Sequence, residues 1–241
     1  MGATTRNMLG IRLRSALFYV LSGLAFVPFL LFWPVFFLPE RYLLGVGAAY
    51  LRVQLVLLRL ICGIRYRVEG AEHLPEGPCL IASWHESSWE TLFFHLFLDQ
   101  PVMFAKQEVF SYPVVGLVAQ KAGHVPIDRK GTPDQMRDGF RAGVAAIKRG
   151  RKLLIFPSGT RQRGAPKRIQ RGVGVLYDLA KVDAVPVQVK SGHCWPAGSL
   201  LKYPGTITVR ILPPIPAGLE RRAFLQQLAL AFGENQDDLK R

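Results

Sequence analysis

The chain has 241 residues, which suffices for one sizeable domain with an appendage and excludes two large domains. It is 49% hydrophobic yet carries a formal charge of +14, a pairing that points to an anionic lipid surface or an anionic substrate. Nucleic acid is disfavoured, because no basic helix, zinc-ligand spacing or aromatic RNA motif accompanies the charge.

Residues 1–14 hold Arg6, Arg12 and Arg14 and no acid, and from Ser15 to Pro39 no residue is charged. That run is longer than the ~20 residues a helix needs to cross a bilayer. A cleaved signal peptide is the rival reading; the apolar run is too long for one and no convincing cleavage site follows. Pro28 and Pro34 predict kinks. A second apolar run, Leu43 to Ile64, carries Arg52 and Arg59 on one helix face, which fits a helix lying in the interface better than a lipid-buried span. Residues 1–63 are thus expected to form a membrane-associated helical hairpin, with a cytosolic start favoured by the amino-terminal arginines.

Residues 64–241 read differently. Arg65 to Glu69 alternates like an edge strand, Cys79 to Ala82 is a short buried strand, and Leu92, Phe93, Leu96 and Phe97 mark a helix. Val102 to Ala105 is a second buried strand, a helix restarts near Tyr112, and Val125 to Ile127 is a short strand. Thr132 caps an amphipathic helix reaching Lys148, with Pro133 in its first turn. Leu153 to Phe156 is a strand, Gly172 to Lys181 a helix, Ala184 to Val189 and Thr206 to Leu212 strands, and a last helix starts near Leu219. Strands alternating with helices predict an α/β domain with a mostly parallel central sheet flanked by helices. Cys62, Cys79 and Cys194 are too widely spaced for a disulfide framework or a metal site, and no other metal cluster is visible.

In such sheets ligands bind beyond the carboxyl ends of the strands, and polar residues recur at those places. His85 and Glu90 follow the first of the buried strands, Lys106 and Glu108 the next, Asp128 and Arg129 the third, Ser158 to Arg161 the fourth, and Lys190 and Ser191 the fifth. An imidazole takes and returns a proton near neutral pH. In a regular helix the His85–Glu90 spacing would point the side chains apart, so His85 is expected before the helix, with Glu90 reaching back from the first turn. A plain polar helix start capped by Ser87 or Ser88 is the bland alternative for this segment. From Arg129 to Arg171 there are thirteen Lys and Arg against two acids. Part of that is a solvated helix face, but Arg129 and Arg161 sit directly at strand ends, where an arginine fork suits a phosphate dianion. Gly159 and Thr160 add backbone N–H groups in a turn, with the Gly159 amide a candidate oxyanion donor. The zinc-protease, serine-hydrolase-elbow and Walker-loop patterns are all missing. An imidazole base, a carboxylate partner and phosphate-reading arginines on a membrane-tethered domain fit transfer of an acyl group to a hydroxyl of a phosphorylated lipid.

Taken together these stretches resemble the glycerolipid acyltransferases, and within them the bacterial 1-acyl-glycerol-3-phosphate acyltransferase group. His85 and Glu90 look like the family's His-x-x-x-x-Asp motif, and Lys106-Gln107-Glu108 like its Lys-x-Glu stretch. Gly123 to Arg129, Phe156 to Arg161, and Val185-Pro186-Val187 with Ser191 look like the second, third and fourth motifs. The resemblance implies His85 as general base oriented by Glu90. It implies a binding set of Lys106, Asp128, Arg129, Ser158, Gly159, Thr160 and Arg161. It further implies a phosphorylated lyso-lipid acceptor, acyl-CoA or acyl-carrier protein as co-substrate, no cofactor and no metal. A two-helix anchor on the cell inner membrane would hold the catalytic domain on the cytoplasmic face. Two departures stand out. Glu90 replaces the usual Asp and keeps the charge, whereas Ser158 replaces the usual Glu of the third motif and bears on which acceptor is used. An acyltransferase for another lysophospholipid or amino-acid lipid, and a lipid-binding protein without turnover, are the alternatives.

Overall fold

A computed structural model describes residues 2–31, 37, 39–128, 131–164 and 168–233. Two long helices come first, α1 (Gly2–Leu31) and α2 (Glu40–Leu60). The order is then β1 (Ile64–Glu69), β2 (Leu80–Ser83), α3 (Trp89–Phe97), β3 (Val102–Lys106), α4 (Pro113–Lys121), β4 (Val125–Ile127), α5 (Pro133–Lys148), β5 (Leu153–Ile155), α6 (Gly172–Ala180), β6 (Ala184–Lys190), β7 (Gly205–Ile211) and α7 (Arg221–Phe232). The seven strands form one sheet in the order β1-β7-β6-β2-β5-β3-β4. The five from β6 to β4 run parallel; β7 pairs antiparallel with β6, and β1 runs parallel to β7 at the edge. The alternating Arg65–Glu69 segment is therefore an edge strand, as its polarity requires.

The central strands are apolar on both sides because both faces of the sheet are covered. Successive side chains point to opposite faces, so Leu80, Ala82 and Leu153 join a core with α5, α6 and α7. Their neighbours Ile81 and Leu154, with Val185, Val187 and Val189, face a second core built from Trp89, Phe93 and Phe94 of α3. Phe18 of α1 and Leu58 of α2 enter this second core, so the first two helices are docked on the domain. Lys202 fixes that contact. Its backbone N–H donates to Ser15 Oγ at 2.9 Å and its ammonium to the Tyr19 hydroxyl at 2.6 Å. The ammonium also lies over the rings of Phe18, Tyr19 and Trp195, and burial pushes its pKa down to about 8.

α5 starts as its sequence predicts: Thr132 and Gln135 form a reciprocal capping box with Pro133 in the first turn. Gly116 of α4 lies against the Phe110 carbonyl, where a Cβ would stand 2.3 Å from the oxygen, so only glycine fits. The kink expected at Pro34 lies outside the described residues.

α3 is tied to the entry of β4 by two mostly buried histidines. The Met103 N–H donates to His124 Nδ1, which leaves the proton of neutral His124 on Nε2. Nε2 then donates to His95 Nε2 at 2.7 Å, and His95 Nδ1–H donates to the Thr91 carbonyl at 2.6 Å. Every ring nitrogen is satisfied only while both rings are neutral. Burial accordingly depresses both pKa values, His124 to about 3, with neighbouring Arg151 acting in the same direction. A folded-state pKa below the unfolded value of 6.5 means the unfolded chain binds more protons in acid. Stability is therefore expected to fall as pH drops below 6.5, by up to about 1.4 kcal/mol per pH unit from His124 alone. Thermal unfolding between pH 6.5 and roughly two units below it, compared with His124→Gln, checks this: the variant's dependence on pH should be shallower, and equal slopes would refute it.

Candidate active site

β2 ends at Ser83, and residues 84–88 lead into α3. His85 stands in this loop and Glu90 in the first turn of α3, so the carboxylate reaches back toward the ring. His85 Nδ1 and Glu90 Oε2 are 3.6 Å apart, with side-chain exposures of 13% and 0%. That separation is an ion-pair contact, longer than a hydrogen bond. Nδ1 is buried and has no hydrogen-bond partner among the described residues, so Glu90 is the group it faces. Packing fixes the plane of the ring: the imidazole stacks on Phe156, the residue after β5, with centroids 3.9 Å apart and planes inclined by 15°.

Glu90 is held from several sides. Oε1 accepts the Glu86 and Ser87 N–H groups at 3.1 Å, and Oε2 accepts the Ser87 N–H at 3.0 Å. The Ser87 hydroxyl donates to Oε2 at 3.3 Å, and the Ser191 hydroxyl, from the end of β6, donates to Oε1. These donors satisfy a carboxylate placed where no solvent reaches it. Of the two serines that the bland alternative offered as cap, Ser88 occupies the N-cap position without a side-chain cap bond, and the Ser87 hydroxyl accepts the Trp89 N–H at 3.0 Å.

The loop after β5 lies against the same segment. Arg161 donates from Nη1 to Ser88 Oγ at 2.7 Å, and the Gln162 N–H donates to the His85 carbonyl at 2.8 Å. Guanidinium and imidazole thus occupy one side of the domain. Ser158 is buried and donates its hydroxyl to the Thr160 carbonyl at 2.7 Å, while Thr160 is exposed. Gly159 takes φ +69°, and its N–H donates to the Phe156 carbonyl at 2.9 Å. The turn therefore consumes the amide expected as an oxyanion donor, and that expectation is corrected. Lys106 is exposed at the end of β3, two strands from β2, and Asp128 follows β4, one strand further. Both stand at the same carboxyl end of the parallel strands. Arg129 lies outside the described residues.

Phe156 and Ser191 belong to motifs visible in the sequence, but their contacts with His85 and Glu90 do not show there, and Glu86 belongs to no such motif. The Phe156 stack has no sequence signal, because an aromatic at a strand end reads as core. The Ser191 bond to Glu90 joins residues 101 positions apart. Cys194 is buried and its thiol is pushed up to about 11 by desolvation, so it is not an activated nucleophile. Among the described residues no group of His, Cys, Asp and Glu has the arrangement of a metal site.

Residues 65–190 match the model of the Acyltransferase family, and the chain belongs to that family. More particularly, it is 35% identical over 228 residues to the 1-acyl-sn-glycerol-3-phosphate acyltransferase of Pseudomonas aeruginosa, covering 91% of this chain and 88% of that protein. It is 31% identical over 170 residues to the human 1-acyl-sn-glycerol-3-phosphate acyltransferase alpha, covering 69% of this chain and 60% of that one. The crystal structure of the 1-acyl-sn-glycerophosphate (LPA) acyltransferase PlsC from Thermotoga maritima superposes with a TM-score of 0.71 over 96% of this chain and 99% of that chain. At 18% identity that likeness establishes the fold.

Proposed function

We propose that this chain transfers a fatty acyl group from acyl-CoA or acyl-carrier protein to the free sn-2 hydroxyl of 1-acyl-sn-glycerol 3-phosphate, giving phosphatidic acid. The observation that carries the reading is the placement of His85 against Glu90, with Arg161 bonded to Ser88 of the same loop. With Nδ1 directed at Glu90, His85 is left with Nε2 to remove the acceptor's hydroxyl proton. The resulting alkoxide-like oxygen attacks the thioester carbonyl, the C–S bond breaks, and the departing thiolate takes the proton back from the His85 imidazolium to leave as the thiol. Glu90 stabilises the imidazolium that forms, and Arg161, with Arg129 assigned from sequence alone, holds the acceptor phosphate. Lys106 and Asp128 extend the binding edge. The residues need no metal for this chemistry, since the base is an imidazole and the leaving group a thiolate.

α1 and α2 expose Leu9, Leu13, Leu17, Val20 and Leu24, and Val46, Val53, Val56 and Leu60, respectively. Such surface suits lipid, and both helices are long and apolar enough to cross a membrane by length and composition. We place the hairpin (1–63) in the cell inner membrane with the catalytic domain (64–241) on its cytoplasmic face, so that acceptor and product reach the site from the bilayer.

Ser158 favours a second reading, an acyltransferase for another lysophospholipid or a lyso-amino-acid lipid, because its hydroxyl is engaged within its own turn. One experiment separates the two. Purified protein is given one acyl-CoA and a panel of lyso-lipids, and thiol release is followed. Release confined to 1-acyl-glycerol 3-phosphate supports the first reading; release only with another acceptor supports the second; none with any acceptor defeats both. Arg161→Ala is expected to raise the KM for the phosphorylated acceptor roughly tenfold or more, with donor KM unchanged. A shift in donor KM alone would refute the phosphate role.

A further inference from the structure

We infer that Glu86 is a positioning residue that clamps the Arg161 loop and the loop after β6 onto the His85 segment. This rests on the acyl-transfer reading of the site. Glu86 follows β2, and the sheet places β2 between β5 and β6. Its side chain spans both neighbours. Oε1 accepts the Gly164 N–H at 2.6 Å, on the loop after β5, and Oε2 accepts the Ser191 and Gly192 N–H groups at 2.7 and 2.6 Å, at the end of β6.

A glutamate beside a helix start is ordinarily a solvated surface charge. Glu86 is 4% exposed and has no ion pair with Lys or Arg among the described residues. Its charge is accommodated by three amide donors, the arrangement that makes a buried carboxylate tolerable. Fit around it is close: a Cβ on Gly192 would stand 3.2 Å from Oε2.

The segment from Arg161 to Gly164 is thereby attached to the His85 loop at three points, through Ser88, the His85 carbonyl and Glu86. His85 is held independently, by Phe156 and Glu90. Loss of Glu86 therefore loosens the acceptor-binding guanidinium more than the base. A preorganised Arg161 binds the acceptor without first ordering its loop.

The test is Glu86→Gln with Glu86→Asp beside it. A glutamine oxygen can serve the Ser191 and Gly192 amides, but its NH2 then faces the Gly164 N–H and releases the Arg161 loop. Glu86→Gln is expected to raise the acceptor KM about tenfold, with kcat within about threefold of the parent and donor KM unchanged. Glu86→Asp keeps the charge and should recover part of the loss. An unchanged acceptor KM, or a fall in kcat alone, overturns the inference. Hydrogen exchange supplies a readout that needs no turnover and no foldable variant. In the parent protein the Gly164, Ser191 and Gly192 amides should be protected, and unprotected exchange at Gly164 overturns the clamp. If the parent turns over no acceptor, the proposed function fails while the exchange result still decides the clamp.

Discussion

Replacing His85 by alanine is expected to lower kcat by roughly a hundred- to ten-thousand-fold, the range typical of general-base help. The prediction separates catalysis from stability because the two roles fall on different atoms. His85 contributes to packing through its stack on Phe156 at 3.9 Å between centroids. Its buried Nδ1 makes no hydrogen bond among the described residues, so alanine leaves no backbone donor stranded on that side. The carboxylate it faces keeps its other donating groups, from the backbone of Glu86 and Ser87 and the hydroxyls of Ser87 and Ser191. The thermal unfolding midpoint should therefore move by only a few degrees, about what losing one partly exposed aromatic contact costs in a domain of this size. Acyl-CoA thiol release at saturating acceptor, run beside a thermal melt, checks both halves. A variant that melts normally and retains the parent kcat would remove His85 from the chemistry.

Much of this arrangement was legible because each local signal had a physical cause that tertiary structure did not overrule. The strand–helix alternation after Ile64 placed all the elements of the sheet, and the Arg65–Glu69 alternation marked the edge. Thr132, Pro133 and Gln135 fixed the start of α5. The spacing of His85 and Glu90, which a helix would have splayed, forced the loop-then-turn geometry that the structure has. What escaped was long-range. A carboxylate clamping two loops is invisible when its donors are backbone amides 78, 105 and 106 positions away, since amides carry no residue identity. Gly159 misled for a related reason: glycine at a positive φ permits a turn, but the turn itself decides which acceptor its N–H meets, and here that acceptor is the Phe156 carbonyl. The antiparallel entry of β7 beside β6 was likewise not written in its alternation, which is the same for either direction.

Glu90→Gln is expected to damage both activity and stability, and the conservative Glu90→Asp separates the two effects. The side chain is fully buried, so whichever way a glutamine amide turns, its NH2 meets at least one donor: the Glu86 and Ser87 amides on one side, or the Ser87 amide and hydroxyl on the other. Each amide left without an acceptor in such a site costs about 1–3 kcal/mol. For a chain of this length that corresponds to a fall of about 2–10 °C in the unfolding midpoint. The catalytic loss has a different origin. As His85 gains a proton, the ionised carboxylate 3.6 Å away stabilises the charge, and a neutral amide does so far less. A charge pair at this range is worth up to about 4 kcal/mol at the effective dielectric of such sites. Because the proton is only partly transferred at the transition state, kcat should fall by roughly ten- to a thousandfold. Aspartate restores the charge with one methylene less reach, so it should recover more of kcat than of stability, the backbone donors being fixed at the distances glutamate spans. Parent-level kcat in a destabilised Glu90→Gln protein would show the carboxylate to be a scaffold only, and parallel losses in Gln and Asp would assign the effect to packing instead of charge.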